Sequence, residues 1–97
     1  FTSGYGYSHY YPPEVGVKHL DILALDQSIE QGMAKLARYP LLAEPGTRWE
    51  YGYHSDVIGR LIEIGSGMRT DDYLQRTIFG PLGMVDTGFF VPPGKAD

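Results

Sequence analysis

The stretch Ser55–Pro81, SDVIGRLIEIGSGMRTDDYLQRTIFGP, decides the fold class of this chain. Val57, Ile58, Leu61, Ile62 and Gly65 recur with the helical repeat, which predicts a helix over 55–66 with a buried apolar stripe. Asp56 and Arg60 stand four residues apart on that helix, a spacing that favours an ion pair. Ser55 suits its N-cap, and Gly65 with Gly67 suits its C-terminal cap. A further helix is expected over 70–79. The Thr70 hydroxyl can cap it, and Asp71 and Asp72 sit at the positive end of its dipole. It carries Tyr73, Leu74, Thr77 and Ile78 before Gly80-Pro81 stops it.

Upstream, Asp26–Arg38 reads as a third helix, with Ile29, Met33, Leu36 and Ala37 on one apolar face. Ser28 with Gln31 can form a capping box, and Asp26 competes as N-cap. Pro40 disfavours helical backbone at Tyr39 and ends the element. Pro45-Gly46 marks a turn, and the Gly-, Tyr- and Pro-rich residues 1–20 read as loop. The tail after Pro81 is loop, with one short extended stretch at Thr87–Val91. No pair of strands is clear enough to make a sheet. The chain is therefore mainly α as it stands, three helices joined by long loops.

A chain of 97 residues with 42% hydrophobic and 21% charged residues is globular, and at this length is one small domain or part of a larger one. Eight tyrosines beside one tryptophan exceed what a helical core needs, and a phenol wants a polar partner at its tip, so several are expected at a cleft or interface. A net charge of −4 lacks the basic patch that a nucleic-acid partner requires. No apolar run approaches the length of a membrane span. Without cysteine, disulfide and thiolate chemistry drop out, and cytoplasmic and exported compartments stay equally open. The opening Phe-Thr-Ser-Gly, with no methionine or basic leader, reads as the middle of a protein or a processed terminus.

Nucleophile and cofactor signatures are missing. Neither the GxxxxGK nor the GxGxxG phosphate loop occurs. His9, His19 and His54 lack metal-ligand spacing, so neither a metal nor an organic cofactor is expected. No GxSxG elbow is present. No serine precedes a lysine by three: Lys18, Lys35 and Lys95 have Val15, Gly32 and Pro92 there. Ser55 reads as an N-cap rather than a nucleophile.

Four segments in order carry a family resemblance. PLLAEPGTRWEY (Pro40–Tyr51) resembles the approach to the active-site tyrosine of the serine beta-lactamase-like family. That family includes class C beta-lactamases, D-alanyl peptidases and family VIII carboxylesterases. SDVIGRLIEIGSG resembles the helix that follows, and DYLQRTIFGPLGMVDTGF (Asp72–Phe89) resembles the YLxxxIFxPLGMxDTxF stretch, the most specific of the four. FTSGYGY resembles the HTSG loop, with Phe1 in place of the usual His. Gly83-Met84 and Asp86-Thr87 are landmarks of loop shape within that pattern.

The resemblance implies an internal part of an α+β beta-lactamase/transpeptidase-like fold, with residues 1–97 supplying the helical subdomain and the rest of the same hydrolase domain as its partner. It implies a serine hydrolase acting through an acyl-enzyme on a small-molecule ester or amide. Tyr51 matches the tyrosine of the Tyr-x-Asn motif, which faces a serine and lysine from an SxxK motif upstream. Tyr53 replaces the motif's Asn, and the spacing from Tyr51 to Asp56, Val57 and Gly59 is closer to the carboxylesterases. Short-chain esters are thus the expected substrates, ahead of beta-lactams or D-peptides; a non-catalytic binding module on the same scaffold is the other alternative. Trp49 and Tyr53 are the candidate substrate-binding residues, each with core packing as the competing role. Tyr5 to Tyr11 either border the substrate cleft or pack a loop.

The chemistry gives the tyrosine its purpose. A serine hydroxyl attacks poorly unless a neighbour takes its proton. A phenol ordinarily titrates near 10, so serving as base near neutrality requires stabilising its anion by on the order of 3 kcal/mol. A lysine ammonium can provide this, and a helix N-terminus can add about 0.3–1 kcal/mol. Alternatively lysine is the base and Tyr51 shuttles the proton to the leaving group. Lacking the serine and lysine, this chain alone is expected to be inactive.

Overall fold

The computed structural model describes residues 1–96, apart from the side chain of Leu20. It is helical, with no strand among the described residues. The main elements are α1 (His19–Ile22), α2 (Ile29–Leu36), α3 (His54–Ser66) and α4 (Thr70–Leu74). Two 3-10 turns, Ser8–Tyr10 and Pro13–Val15, interrupt the N-terminal loop, and a π-helical turn, Gln75–Phe79, follows α4. The chain divides into two compact units, Phe1–Leu61 and Ile62–Asp97. All three expected helices are present, and the mainly α class holds.

In the first unit the core is small. Ile22, Leu36 and Tyr53 are its fully buried members, with Tyr5, Tyr7, Val17, Leu23, Met33, Tyr39 and Val57 packed against them. Leu36 and Met33 come from the expected face of α2, whereas Ala37 of that face is exposed. α2 starts three residues later than Asp26 because Ser28 is its N-cap. The Gln31 amide N–H donates to Ser28 Oγ at 3.2 Å, and the Ser28 N–H donates to Gln31 Oε1 at 2.9 Å. Its C-terminus tightens before Pro40, with Arg38 N–H donating to Lys35 O and Tyr39 N–H to Leu36 O.

α1 was expected as loop. It packs on α2 because Gly32 has no Cβ: a methyl there would collide with the Ile22 carbonyl. Gln27 Nε2 donates to the carbonyls of Asp21 (3.0 Å) and Ile22 (2.6 Å), closing the end of α1, and Lys35 Nζ donates to Gln27 Oε1 at 2.6 Å. Four residues are too few to show periodicity, so a helix held by its surroundings leaves no sequence pattern.

The N-terminal residues run alongside 42–50. Leu42 N–H donates to Gly4 O at 2.8 Å, Gly46 N–H to Thr2 O at 2.7 Å, and Glu50 N–H to Phe1 O at 2.8 Å. Gly46 takes φ +86°, the conformation the Pro45-Gly46 turn requires.

α3 begins at His54, and Val57 N–H donates to Tyr53 O, which places Ser55 inside the first turn rather than at the cap. Its expected buried stripe is only partly buried: Val57 packs on the core, while Ile58 and Leu61 are 55% and 61% exposed. Gly65 is exposed within the helix, and Gly67, at φ +68°, is the capping glycine. Arg60 pairs with Glu30 at 2.7 Å, tying α3 to α2.

In the second unit, α4 is capped differently from expectation. Arg69 is the N-cap and its side chain makes no capping bond; Thr70 is the first helical residue. Arg69 instead grips Asp71 with two bonds, at 3.0 and 2.9 Å. The helix expected over 70–79 changes character midway. Thr77 Oγ1 donates to Tyr73 O at 2.6 Å, and Gly80 N–H reaches back five residues to Gln75 O at 2.8 Å. A Cβ on Gly80 would lie 2.9 Å from that carbonyl, so glycine permits the wider turn. Thr87–Val91 forms bends rather than an extended stretch. No described side chain of this unit is fully buried.

Candidate active site

Residues Arg48 to Tyr51 follow the turn with alternating side chains. Arg48 and Glu50 meet in an ion pair at 2.5 Å. Trp49 and Tyr51 are offset by one residue and therefore face the other way, as in extended backbone. Phe1, held opposite by its carbonyl bond to Glu50, lays its ring against both. The Phe1 and Trp49 rings are 5.3 Å apart and within 11° of parallel; Phe1 and Tyr51 are 5.8 Å apart at 25°.

Tyr51 is 47% exposed. Two rings meet it at steep angles: Tyr7 at 5.4 Å and 67°, and His54 at 5.7 Å and 71°. These are the edge-on contacts that a ring quadrupole favours. The phenol is thus braced at its ring and open to solvent, and it sits three residues before the start of α3. Burial pushes the Tyr7 phenol upward, and the charges of Tyr51 and Asp56 push it the same way, so Tyr7 stays protonated and can donate to Tyr51. Burial likewise raises the Asp56 carboxyl, while its own backbone N–H and the neighbouring His54 and His19 oppose the rise.

Of the sequence candidates, Trp49 is brought to Tyr51, at 6.4 Å between rings, and is 64% exposed. Tyr53 is not: it is completely buried, and its hydroxyl is hydrogen-bonded to His19 Nδ1 at 3.0 Å. Tyr7 crosses its ring at 5.0 Å and 87°. Tyr53 therefore packs beneath the site in this structure. Gly52 lies between the two tyrosines and is itself buried, letting one phenol turn outward and the next inward.

Sequence reasoning missed the bracing roles of Tyr7 and His54. His54 Nδ1 is buried with no hydrogen-bond partner among the described residues, and the ring centroids of Phe1 and His54 lie 4.0 Å apart. Only the density of tyrosines near the N-terminus hinted at Tyr7. No group of acidic, histidine or cysteine residues able to hold a metal occurs among the described residues, and no helix is long and apolar enough to cross a membrane. A groove of 710 Å³ in the second unit, lined by Phe79, Phe89 and Phe90 with Asp71, Asp86 and Lys95, contains none of these candidates.

The buried phenol makes a pH prediction. Burial raises Tyr53 from 10 to about 12, with the nearby Tyr7, Tyr11 and Asp56 adding to the rise and a Ser8 backbone bond opposing it. Below 10 the phenol is neutral in both folded and unfolded chains, so its stabilising contribution is complete. Between 10 and about 12 the unfolded chain ionises while the folded one resists, and stability falls. Chemical denaturation followed across that range should show the decline in the wild type and a smaller one in Tyr53→Phe. Equal declines would show that other groups control it.

The comparisons with known proteins came down on one family. The beta-lactamase family model matches residues 1–97. Lovastatin esterase of Penicillium rubens is 30% identical over 89 residues, covering 92% of this chain and 22% of that protein. Esterase EstB of Burkholderia gladioli is 33% identical over 64 residues, covering 66% of this chain and 16% of that protein. Monacolin J acid methylbutanoyltransferase of Aspergillus terreus is 38% identical over 64 residues, covering 65% and 16%. The chain spans about a fifth of the length of these curated relatives or less. With the whole sequence matched and esterases and acyltransferases among its relatives, the chain belongs to the beta-lactamase family.

Proposed function

We propose that this chain is the tyrosine-bearing part of a serine carboxylesterase that works through an acyl-enzyme on short-chain esters. The observation that carries this is Tyr51, half exposed, crossed at steep angles by the rings of Tyr7 and His54, and set just before α3. A serine delivered by the remainder of the domain attacks the ester carbonyl, its proton passing to the Tyr51–lysine pair. The alkoxide leaves with a proton handed on by the phenol, and water then cleaves the acyl-serine ester. Transfer of the acyl group to an alcohol in place of water is the second reading, favoured by the acyltransferases among the relatives.

The need for a partner segment has physical support. Four hydrophobic residues are buried, whereas sixteen large ones are exposed among the described residues, including Leu25, Ile58, Leu61, Leu82, Val85 and Phe90. A free-standing domain seldom leaves so much apolar surface in water. Preference for esters over lactams is supported by Tyr53, which stands where the family's asparagine amide would be and turns inward.

The test uses the full-length protein that contains this chain. An aryl acetate should be turned over at least about 100-fold more efficiently, in kcat/KM, than a chromogenic cephalosporin, since an absent amide donor leaves the lactam unrecognised. Comparable or reversed efficiencies would make it a lactam-processing enzyme, and turnover of neither would leave the binding module.

A further inference from the structure

We infer that the hydrogen bond between Tyr53 and His19 is an acid-opened latch, holding α1 against the inward tyrosine beneath the site and letting go when the imidazole takes up a proton. The latch stands apart from the catalytic reading of Tyr51; only its effect on turnover rests on that reading.

The direction of the bond follows from burial. Tyr53 is completely buried, and its hydroxyl lies 3.0 Å from His19 Nδ1. The Ser8 backbone bond to the same phenol opposes the rise in its pKa, as a donor to the oxygen does, so it offers the hydroxyl hydrogen nothing. No other acceptor meets that hydrogen among the described residues. If Nδ1 carried a proton and donated, the hydroxyl hydrogen would be stranded in the core. Tyr53 therefore donates, and His19 is neutral with its hydrogen on the far nitrogen, Nε2. An imidazolium carries hydrogen on both nitrogens, so protonation removes the one acceptor the phenol has.

α1 depends on this tie. Its four residues are too few to stand as a helix alone. The far end is fixed by Gln27 Nε2 on the carbonyls of Asp21 and Ile22, and by Ile22 in the core. Those are amide bonds and apolar contacts, which do not respond to acid. The near end is fixed by His19, its ring 5.7 Å from Tyr53 and within 28° of parallel.

The groups around His19 set the balance. From the N-terminal loop it faces Tyr7, at 5.4 Å and 78°, and from the segment before α3 it faces Tyr53. Burial holds both phenols up, so they are uncharged from acid to neutral pH. From α3 comes Asp56, whose carboxyl feels the charges of His54 and His19. Lys18 and Asp21 flank His19 in sequence with opposite charges. α2 packs on α1 through Gly32 and directs Lys35 to Gln27 and Glu30 to Arg60. Asp56 is thus the charge that favours the imidazolium, drawing the proton on while Tyr53 loses its acceptor. The release reaches the site by two short routes: only Gly52 separates Tyr53 from Tyr51, and the Tyr7 ring contacts Tyr51, Tyr53 and His19 alike.

Amide hydrogen exchange over residues 19–23 of the full-length protein reads the latch, expressed as protection factors so that the intrinsic pH dependence drops out. An imidazole ordinarily changes charge between about pH 8 and 5, and that is the interval to compare. Wild-type protection should fall about 5- to 100-fold across it, the range for a buried donor left without a partner. His19→Asn offers a carbonyl oxygen that does not titrate, and its protection should hold. Tyr53→Phe keeps the ring and removes the donor, and its protection should be low throughout. Flat protection in wild type overturns the latch, as does a fall that His19→Asn or Tyr53→Phe shares in full.

Turnover is read as the wild-type kcat on an aryl ester divided by that of His19→Asn, a ratio in which the titration of the reacting groups cancels. It should drop about 3-fold or more on acidification, as a displaced reacting phenol requires. A constant ratio beside a fall in protection means that the latch does not govern the site, and overturns that part. Tyr51→Phe should show the wild-type fall in protection. If it does so with normal turnover, the catalytic reading fails and the latch stands.

Discussion

Replacing Tyr51 by phenylalanine in the full-length protein should lower kcat for an aryl ester by about 100- to 10,000-fold, the range lost when a positioned acid or base is removed. KM should change by only a few-fold. The substitution deletes one oxygen and leaves the ring, so the contacts to Phe1, Tyr7 and His54 have no reason to change. Stability should stay within about 0.5 kcal/mol of wild type, because the residue is 47% exposed. That pairing distinguishes chemistry from structure: a large kinetic loss at unchanged stability means the hydroxyl itself acts. Steady-state kinetics with urea denaturation on the same preparation provide both numbers. A loss smaller than about 5-fold would remove Tyr51 from the reaction.

Tyr7→Phe offers a milder comparison from the same cluster. Its phenol is held protonated by burial and its ring meets that of Tyr51 at 5.4 Å, so its removal is expected to loosen the orientation of Tyr51 rather than delete the reacting group. The ordering of the two variants therefore reports which phenol is nearer the reaction.

How far the fold was legible depends on what holds each element. α2 and α3 carry local signals, the Ser28–Gln31 box and the apolar repeats, and both formed close to where those signals placed them. α1 has none, being fixed by Gly32 and Gln27 from outside it. Thr70 and Ser55 show the limit of cap reading: either hydroxyl can cap, but Arg69, one residue before Thr70, and Tyr53, two before Ser55, already occupy the boundary. Periodicity predicts which face of α3 is apolar and not whether anything covers it, so Ile58 and Leu61 were expected inside and are outside.

The candidate site was legible in sequence through Tyr51 and not through the rings that surround it. Tyr51 sits in the run PGTRWEY, whose turn and following extended segment carry a specific spacing. Its neighbours Phe1 and Tyr7 lie more than forty positions away along the chain. A ring contact over that separation leaves no periodic trace, and only the backbone bonds from Phe1, Thr2 and Gly4 to the 42–50 segment create it. Tyr53 was ambiguous for a related cause. Two residues after Tyr51 in regular extended backbone it would share the open face; the break at Gly52 and the start of α3 send it into the core instead.

That break makes Gly52 the position where a single methyl group should do most damage. A Cβ there would run into the Tyr5 carbonyl and would stand 2.6 and 2.8 Å from the Gly6 Cα and carbonyl carbon. All three are backbone atoms, so no side-chain rotation relieves the clash. Either the Tyr5–Gly6 segment or the Tyr51–Tyr53 segment must move, and each carries part of the aromatic cluster. Gly52→Ala should therefore cost about 3 kcal/mol or more in urea denaturation, at the upper end of overpacking effects. Gly65→Ala is the matched control: its Cβ would meet nothing within 4 Å, and inside α3 alanine should be neutral or stabilise by about 0.5–1 kcal/mol. If Gly52→Ala folds at all, Tyr51 should be misplaced and kcat should fall with stability, whereas Gly65→Ala should leave kcat alone. Equal tolerance at the two glycines would mean that residues 5–6 and 52 are not packed against each other, and with them would go the inward turn of Tyr53 and the bracing of Tyr51 by Tyr7.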